Sequence, residues 1–402
     1  MFARTIRRAA SSRATTFTAC PTTITTMPRY SRSGQLTTIS TRSMASACSS
    51  GSSSSSSKGN NKSPPKLSSR ETIPSTRIRI LRTVDSVRAW RRPHQVDQRI
   101  VALVPTMGAL HEGHLSLIRA AAREAHEVVV SIYVNPAQFG VHEDLDSYPK
   151  TWQTDCDALA RLDRELADDG ANLGRLSAVF APTTNDMYPS GFPGQAVDSK
   201  GSFVNVTPVG EGVATVCMKL FNVVQPDRVC FGQKDVQQTV VIQKMVRDFL
   251  MPINVQIGAT TREADGLALS SRNVYLGERR RKVATVLSRA LKAAAAQYKE
   301  GSGALDRESI LGAAQKIAAD TLAEQMAQAP EQRVMYEVDY LSLSDPETME
   351  ELEKVDPAKG GILSGAVKML PVEAPQPGED LGHSGGPAVR LIDNIILKPS
   401  ST

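Results

Sequence analysis

The sequence has few cysteines, and they are not spaced as metal ligands or as a disulfide framework. The five are Cys20, Cys48, Cys156, Cys217 and Cys230. A structural zinc site needs paired ligands a few residues apart, and small disulfide-bonded domains pack several cysteines into a short chain. We therefore expect no zinc site and no disulfide framework, and we expect the protein to work in a reducing compartment.

The sequence also lacks long apolar runs and, outside residues 1–70, an excess of basic residues. No stretch approaches the ~20 apolar residues that a membrane helix needs. The formal net charge of +5 arises from residues 1–70, which hold 11 of the 47 Lys and Arg residues and no acid. The other 332 residues carry 36 basic and 42 acidic side chains. Nucleic-acid binding requires a clustered basic surface, so we expect neither nucleic acid nor a membrane as partner.

Residues 1–70 have the composition of a leader segment. The start, MFARTIRRAASSRATTF, is rich in Arg, Ser and Thr, which is typical of a mitochondrial transit peptide. The alternative is a disordered low-complexity tail, which SSGSSSSSSKGNNKSPPK at 49–66 favours. Met27 and Met44 could serve as later starts. The expected location is therefore cytoplasmic or mitochondrial.

From residue 100 onward, short apolar segments alternate with amphipathic helices. This alternation predicts an α/β fold, a Rossmann-like doubly wound parallel sheet, because the strands read as buried on both faces. Predicted strands lie at 100–104, 128–134, 178–181, 229–231 and 253–258, and predicted helices at 111–126, 151–163, 213–224 and 236–249.

The pattern changes near residue 262. Two predicted helices, 279–299 and 306–326, precede three strand-like segments, YEVDYLSL, GILSGAVKML and AVRLIDNIIL. They predict a smaller C-terminal α+β domain with an antiparallel sheet. We divide the chain into the leader 1–70, a Rossmann-like domain 71–261 and a C-terminal domain 262–402. The Pro- and Gly-rich stretch 371–387 is expected to be a peripheral surface loop inserted between two strands.

Two histidines follow the first predicted strand, in VPTMGALHEGH. Ligands of doubly wound sheets bind at the carboxyl ends of strands, where helix N-termini carry partial positive charge. Gly108 and Gly113 would let a ligand approach the backbone, and His111 and His114 would share one face of the first helical turn. A histidine there becomes favourable once an anion arrives, which indicates a polyphosphate site. The alternative is a pair of surface histidines beside a loop.

Two further segments follow predicted strands and carry polar side chains. In VNPAQF, the neutral amides of Asn135 and Gln138 suit a small hydroxy acid, although a surface turn explains them equally well. In GQKDVQQ, Lys234 offers a point charge for phosphate. Asp235 could cap the next helix with Gln238 as its capping-box partner, which is the structural alternative for Gln238.

The segment LALSSRN carries Ser270, Ser271 and Arg272 at the junction of the two domains. Two hydroxyls and a guanidinium suit a phosphate group whose charge grows in a transition state. The alternative is an ordinary polar turn.

The turn PTMGALHEGHLSLIRAA resembles the His-x-Gly-His signature of the class I aminoacyl-tRNA synthetase and nucleotidylyltransferase superfamily. Imidazoles of that signature stabilise the pentavalent phosphate as pyrophosphate leaves. Four more segments narrow the resemblance to the pantothenate synthetases (pantoate–β-alanine ligases), over about residues 100–397. They are SIYVNPAQFGVHEDLDSYPKTWQTD, GVATVCMKLFNVVQPDRVCFGQKDVQQ, READGLALSSRNVYL and VRLIDNI.

This resemblance implies a two-step reaction in a homodimer that uses ATP and Mg²⁺. Pantoate and ATP would give pantoyl adenylate and pyrophosphate, and β-alanine would then give pantothenate and AMP. It implies that Gln138 contacts both pantoate and β-alanine and that Gln238 contacts pantoate. Asn135 is expected to be a further pantoate contact. The catalytic groups would be His111, His114 as proton donor, Lys234 and Arg272. The implied ATP contacts are Met107, Gly108, His111, His114, Gly232, Gln233, Lys234, Asp235, Thr261, Leu269, Ser270, Ser271 and Arg272; no metal ligand is implied.

One departure from the family pattern precedes GVATV. Family members carry about a dozen more residues there, including a Leu-Glu-Gly and an Arg-containing run, whereas SFVNVTPVGEGVATV passes directly into the helix. A true deletion would weaken pantoate and phosphate binding or abolish activity; an exon-boundary error in the gene structure is the other explanation. The missing segment suggests one alternative function, a shortened paralogue that binds ligand without turnover. The shared fold suggests a second, another nucleotidylyltransferase.

Overall fold

The structure is a computed structural model that describes residues 71–139, 145, 148–191, 204, 206, 211–301 and 306–399. The predicted leader and most of the shortened stretch before GVATV lie outside the described residues. Within the described part of the chain, no helix is both long enough and apolar enough to cross a membrane.

A six-stranded parallel sheet forms the larger part of the fold. Its order is β1-β4-β3-β2-β5-β6, and every pairing in it is parallel. This confirms the predicted Rossmann-like class. The strands are β1 (Arg79–Leu81), β2 (Val101–Thr106), β3 (Glu127–Ile132), β4 (Arg175–Phe180), β5 (Arg228–Gly232) and β6 (Asn254–Gly258).

Helices cover both faces of this sheet. Alternate residues of β2 enter opposite cores: Val101 and Leu103 pack in one, Ala102 and Val104 in the other. Both cores are built from buried apolar side chains, which is why the strand reads as one continuous apolar run. The helices are α1 (Val84–Val96), α2 (Glu112–Glu124), α3 (Trp152–Asp168), α4 (Thr184–Met187), α5 (Glu211–Val224) and α6 (Val236–Asp248).

The strand order reverses between β2 and β5. The chain passes from β2 through β3 to β4 on one side and then crosses to β5 on the other side of β2. At such a switch point the two connections leave in opposite directions and open a crevice at the carboxyl ends of the strands. The loop after β2 carries the two histidines and the loop after β5 carries Lys234, so the fold places both beside this crevice.

The C-terminal part contains a three-stranded antiparallel sheet, as predicted. The predicted helix 279–299 is two helices, α7 and α8; the linking residues Ala284 and Thr285 keep right-handed helical angles, so the interruption is a kink. The described residues between 71 and 399 belong to one compact unit, and a domain boundary at residue 262 stays a prediction. The elements are α7 (Gly277–Val283), α8 (Val286–Glu300), α9 (Arg307–Met326), β7 (Tyr336–Ser344), β8 (Gly361–Met369) and β9 (Val389–Leu397).

Candidate active site

The loop after β2 is held open by a buried carboxylate. Asp155, on α3, is 2% exposed and accepts hydrogen bonds from the backbone N–H groups of Ala109 (3.0 Å) and Leu110 (2.8 Å). Gly108 has a φ of +84°, and a Cβ there would lie 3.1 Å from Asp155 Oδ2. The glycine and the carboxylate together fix the path of the chain into α2.

The two histidines begin α2 as a reciprocal cap. His111 Nδ1 accepts from Gly113 N at 3.1 Å, and His114 Nδ1 accepts from His111 N at 3.4 Å. Because each Nδ1 accepts a backbone N–H, each neutral ring carries its proton on Nε2. The ring centroids are 4.0 Å apart.

Burial keeps both imidazoles neutral. Burial, with a smaller contribution from the Lys234 charge, lowers the pKa of His111 to about 4. Burial, then His111 and then Lys234 hold the pKa of His114 well below its ordinary value. At neutral pH the pair therefore presents two Nε2–H donors without positive charge.

The loop after β5 is clamped by the C-terminal sheet. Asn394, on β9 and 1% exposed, donates to the carbonyls of Gln233 and Lys234, both at 2.8 Å, and accepts from Gln233 Nε2 at 3.1 Å. Burial lowers the pKa of Lys234, and Arg272 lowers it further, while Asp235 opposes the shift. Lys234 forms no ion pair with any described residue, and the charges of Asp235 and Asp393 favour its protonated form.

Asp235 begins α6 as predicted. Its Oδ1 accepts from Gln238 N at 3.3 Å. Within the described residues the Gln238 side chain returns no bond to the Asp235 backbone, so the full capping box does not form. The Gln238 amide instead lines the cleft.

The Ser-Ser-Arg segment forms a 3₁₀ turn, Ser271–Tyr275, beside the histidine loop. Ser271 Oγ donates to the carbonyl of Ala109 at 3.1 Å, and Ser270 caps the turn by accepting from Arg272 N at 3.2 Å. Thr261 Oγ1 lies 3.3 Å from Ser116 Oγ on α2. Hydrogen bonds thus join the C-terminal segments directly to the start of α2.

These loops enclose one cleft of about 1370 Å³. It lies at the switch point and extends to the antiparallel sheet. Thirteen of the residues predicted as ligand contacts line it, whereas Gly108, Gln233 and Asn135 do not. The lining members are Met107, His111, His114, Gln138, Gly232, Lys234, Asp235, Gln238, Thr261, Leu269, Ser270, Ser271 and Arg272.

Asn135 is buried behind the cleft. It is 1% exposed, its Oδ1 accepts from the Tyr188 hydroxyl at 2.8 Å, and its Nδ2 donates to the Gly212 carbonyl at 3.2 Å. A Cβ on Gly212 would lie 2.2 Å from the Ala137 carbonyl oxygen, so α5 approaches this turn closely. In this arrangement Asn135 supports the turn that carries Gln138.

Sequence reasoning missed the side chains that hold the loops. No local sequence motif marks Asp155, Asn394 or the Asp393–Arg262 pair as part of the site. Asp393 is 4% exposed and receives two bonds from Arg262, at 2.6 and 2.8 Å. The one available signal was the resemblance of VRLIDNI to the family, which marks Asp393 and Asn394 without giving them a role.

A doubly wound sheet with a His-x-Gly-His helix start, a lysine loop and a Ser-Ser-Arg turn at its switch point defines a protein of the nucleotidylyltransferase-like α/β class. Comparison with known proteins narrows the class. The family model described as pantoate-beta-alanine ligase matches residues 79–396. The chain belongs to the pantoate–β-alanine ligase family, and it is a ligase of pantothenate synthesis.

This chain aligns with known relatives over almost the whole length of each relative. A pantothenate synthetase of Herpetosiphon aurantiacus is 39% identical over 332 residues, which span 80% of this chain and all of the relative. The crystal structure of the Thermus thermophilus enzyme is 35% identical with a TM-score of 0.58, covering 79% of this chain and 98% of that one. A Francisella tularensis pantoate-beta-alanine ligase, solved with beta-gamma ATP and beta-alanine, is 25% identical with a TM-score of 0.51, covering 80% and 99%.

Proposed function

We propose that the protein joins pantoate to β-alanine in two steps within the cleft. The pantoate carboxylate attacks the α-phosphate of ATP, which forms pantoyl adenylate and releases pyrophosphate. The β-alanine amine then attacks the acyl carbon of this mixed anhydride, forming the amide bond of pantothenate and releasing AMP. Adenylation is needed because a free carboxylate has no adequate leaving group.

The convergence of four phosphate-binding groups on one cleft carries this proposal. His111, His114, Lys234 and Arg272 come from three separate loops and all line the same cavity. Two neutral donors and two cations around one pocket suit a triphosphate, whose charge increases at the leaving group as the α-phosphate is attacked. Among the described residues that line the cleft, no hydrogen bond joins a nucleophile to a base, and the two-step reaction needs no protein nucleophile, so we expect catalysis to rest on positioning and electrostatics.

The histidines serve best as hydrogen-bond donors. Each Nε2–H can donate to a phosphate oxygen while the ring stays neutral. Donation of a full proton by His114, the role that the resemblance implies, requires an imidazolium, and its low pKa disfavours that form until a polyanion raises it. We therefore propose that His111 and His114 stabilise charge on the leaving pyrophosphate, and that proton transfer from His114 accompanies the step only with ATP bound.

The amides of Gln138 and Gln238 suit pantoate. Both line the cleft, beside the apolar side chains of Phe139, Val213 and Val216. Neutral amides bind hydroxyl and carboxylate groups without adding charge next to the reacting carboxylate, and apolar walls accommodate the two methyl groups of pantoate. Gln138 would also meet β-alanine.

Mg²⁺ is expected to enter with ATP. Within the described residues, no group of three His, Cys, Asp or Glu side chains could hold a metal ion. Mg²⁺ commonly keeps several waters and binds phosphate oxygens with one or two carboxylates, and Asp235 lines the cleft as one such carboxylate. Bound there, the ion would neutralise phosphate charge. A homodimer, and a cytoplasmic or mitochondrial location, also stay proposals.

AMP release tests the proposed function. Enzyme with ATP, Mg²⁺, pantoate and β-alanine should release AMP and pyrophosphate, and omission of either organic substrate should stop AMP release. Pantoate alone should support exchange of pyrophosphate into ATP. Retention of AMP in a stable product would favour a nucleotidylyltransferase, and ATP binding without pyrophosphate release would favour a shortened paralogue.

His114→Ala should lower pyrophosphate release on the order of 100-fold or more, the typical loss for one charge-stabilising donor. His94→Ala is the matched control, because His94 lies near Glu127, at the opposite edge of the sheet from the cleft. Full activity in folded His114→Ala would contradict the assigned role.

A further inference from the structure

The stretch 371–387 joins two strands that do not need a long connection. Met369 at the end of β8 pairs directly with Val389 at the start of β9. A two-residue turn commonly closes such an antiparallel pair, whereas 19 residues, 370–388, close this one. Long loops without regular structure are uncommon in compact domains unless they have a function.

One buried guanidinium binds this stretch to the Ser271–Tyr275 turn. Arg280, on α7, is 1% exposed. It donates to the carbonyls of Pro387 (2.7 Å), Leu381 (3.1 Å) and Leu370 (3.3 Å) on one side. On the other side it donates to the carbonyls of Tyr275 and Leu276, the latter at 3.0 Å. The guanidinium thus replaces its hydration shell with carbonyls from both segments.

The two backbones also touch without an intervening side chain. Gly382 has a φ of +89°, and a Cβ there would lie 2.4 Å from the Tyr275 carbonyl oxygen. Glu278 N donates to the Asp380 carbonyl at 3.2 Å. The contact is therefore close enough that only glycine fits at position 382.

An ion pair fastens the outer part of the stretch. Arg279 and Glu379 are 2.6 Å apart, and the side chain of each is only 13% exposed. Glu379 also accepts from Gln376 N at 3.0 Å. The stretch is a mostly exposed loop between two strands, and these bonds attach it to the segment that contains the Ser271–Tyr275 turn and α7.

The other side of the turn faces the cleft. The same 3₁₀ turn that ends at Tyr275 begins at Ser271, which is bonded to Ala109, and contains Arg272, which lines the cleft. Any shift of the turn therefore moves Arg272, which the proposed function assigns to phosphate.

We propose that residues 371–387 act as a brace that fixes the Ser271–Tyr275 turn and so positions Arg272 for ATP. The brace touches no reacting atom and acts through the turn. This inference rests on the proposed function for its effect on turnover, but its effect on the turn can be measured without activity.

A pair of glycine substitutions tests the brace. Gly382→Ala forces the stretch away from Tyr275. Gly378→Ala is the matched control, because Gly378 lies in the same stretch with a φ of +79° and a Cβ there meets nothing within 4 Å. Both substitutions carry similar backbone strain, and only the first disturbs the contact. Glu379→Gln, which removes the charge that pairs with Arg279, is a second and milder variant.

Hydrogen–deuterium exchange of residues 269–276 and steady-state kinetics are the readouts. In Gly382→Ala and Glu379→Gln we expect faster exchange in this segment. We also expect KM for ATP to rise on the order of tenfold, with KM for pantoate unchanged. Gly378→Ala should match the wild type in both. Unchanged exchange in both brace variants, or equal changes in the control, would overturn the proposal. Absence of ligase activity in the wild type would instead refute the proposed function and leave the exchange comparison decisive for the brace.

Discussion

Asn394 offers a direct test of how the C-terminal sheet supports the phosphate-binding lysine. Its side chain makes three hydrogen bonds to the loop after β5, two to the carbonyls of Gln233 and Lys234 and one from the Gln233 amide. The residue is 1% exposed, so water does not replace a lost bond easily. Asn394→Ala removes all three bonds and leaves two carbonyls without this donor.

The expected cost follows from these contacts. A buried hydrogen bond contributes about 1 kcal/mol net, and an unpaired buried group costs somewhat more. Three bonds therefore predict a loss of about 3 kcal/mol in the free energy of unfolding, or roughly 4 °C in Tm for a chain of this size. The loop that carries Lys234 loses its anchor, so KM for ATP should rise on the order of tenfold while KM for pantoate changes little.

Thermal denaturation and AMP-release kinetics measure these two effects separately. Asn172→Ala is a matched control, because the Asn172 amide also donates to two carbonyls, those of Leu166 and Asp169 at 3.2 Å each. Both carbonyls lie at the C-terminal end of α3, outside the cleft lining. The control should lower Tm without changing KM for ATP. A wild-type KM in Asn394→Ala, or an equal rise in the control, would refute the idea that Asn394 positions the lysine loop.

Three further substitutions probe the start of α2. Gly113→Ala places a Cβ 2.9 Å from the His111 ring, so activity should fall on the order of 100-fold; Gly312→Ala, on α9 with nothing within 4 Å, should leave activity unchanged. Asp155→Ala removes the acceptor of two backbone N–H groups, which should lower the free energy of unfolding by about 2 to 4 kcal/mol in denaturant titrations and lower activity as well. The folded pKa of His111, about 4, lies below its ordinary value of 6.5, so its contribution to stability is complete above pH 6.5 and is lost as pH falls toward 4. The free energy of unfolding should therefore fall by about 2 kcal/mol between pH 7 and pH 5. Denaturant titration should find a smaller fall in His111→Asn. An equal fall in this variant would contradict the assignment of the pH dependence to His111.

The inner strands of the larger sheet were predictable because most residues of β2 to β5 are buried. The apolar segments of β2 to β6 are interrupted by turn residues at regular intervals, which local patterning detects. Strand β1 has three residues with basic neighbours, and it was not predicted, nor was α1 behind it. An edge strand this short has no periodicity of its own and is fixed by pairing with β4, which lies about 100 residues further along the chain.

Within the candidate site, only the residues that face the cleft could be predicted from the sequence. His111, Lys234 and Arg272 follow recognisable strand-end or loop signals, and a doubly wound order brings their loops to one edge. The groups that hold those loops are different. Asn394 and Gln233 are 161 residues apart and meet through the packing of two sheets, which no local pattern encodes.

The structure also separates two roles at the expected polyphosphate site, namely hydrogen bonding and positive charge. Backbone N–H groups occupy both Nδ1 atoms, so His111 and His114 offer adjacent Nε2–H donors in neutral rings. Two imidazolium ions with centroids 4.0 Å apart would repel each other, whereas two neutral rings can share one phosphate at no such cost. The positive charge comes from Lys234 and Arg272, which sit on loops held by the C-terminal sheet and by the brace. Charge at this site therefore depends on the correct docking of the C-terminal elements, and hydrogen bonding depends on the first turn of α2.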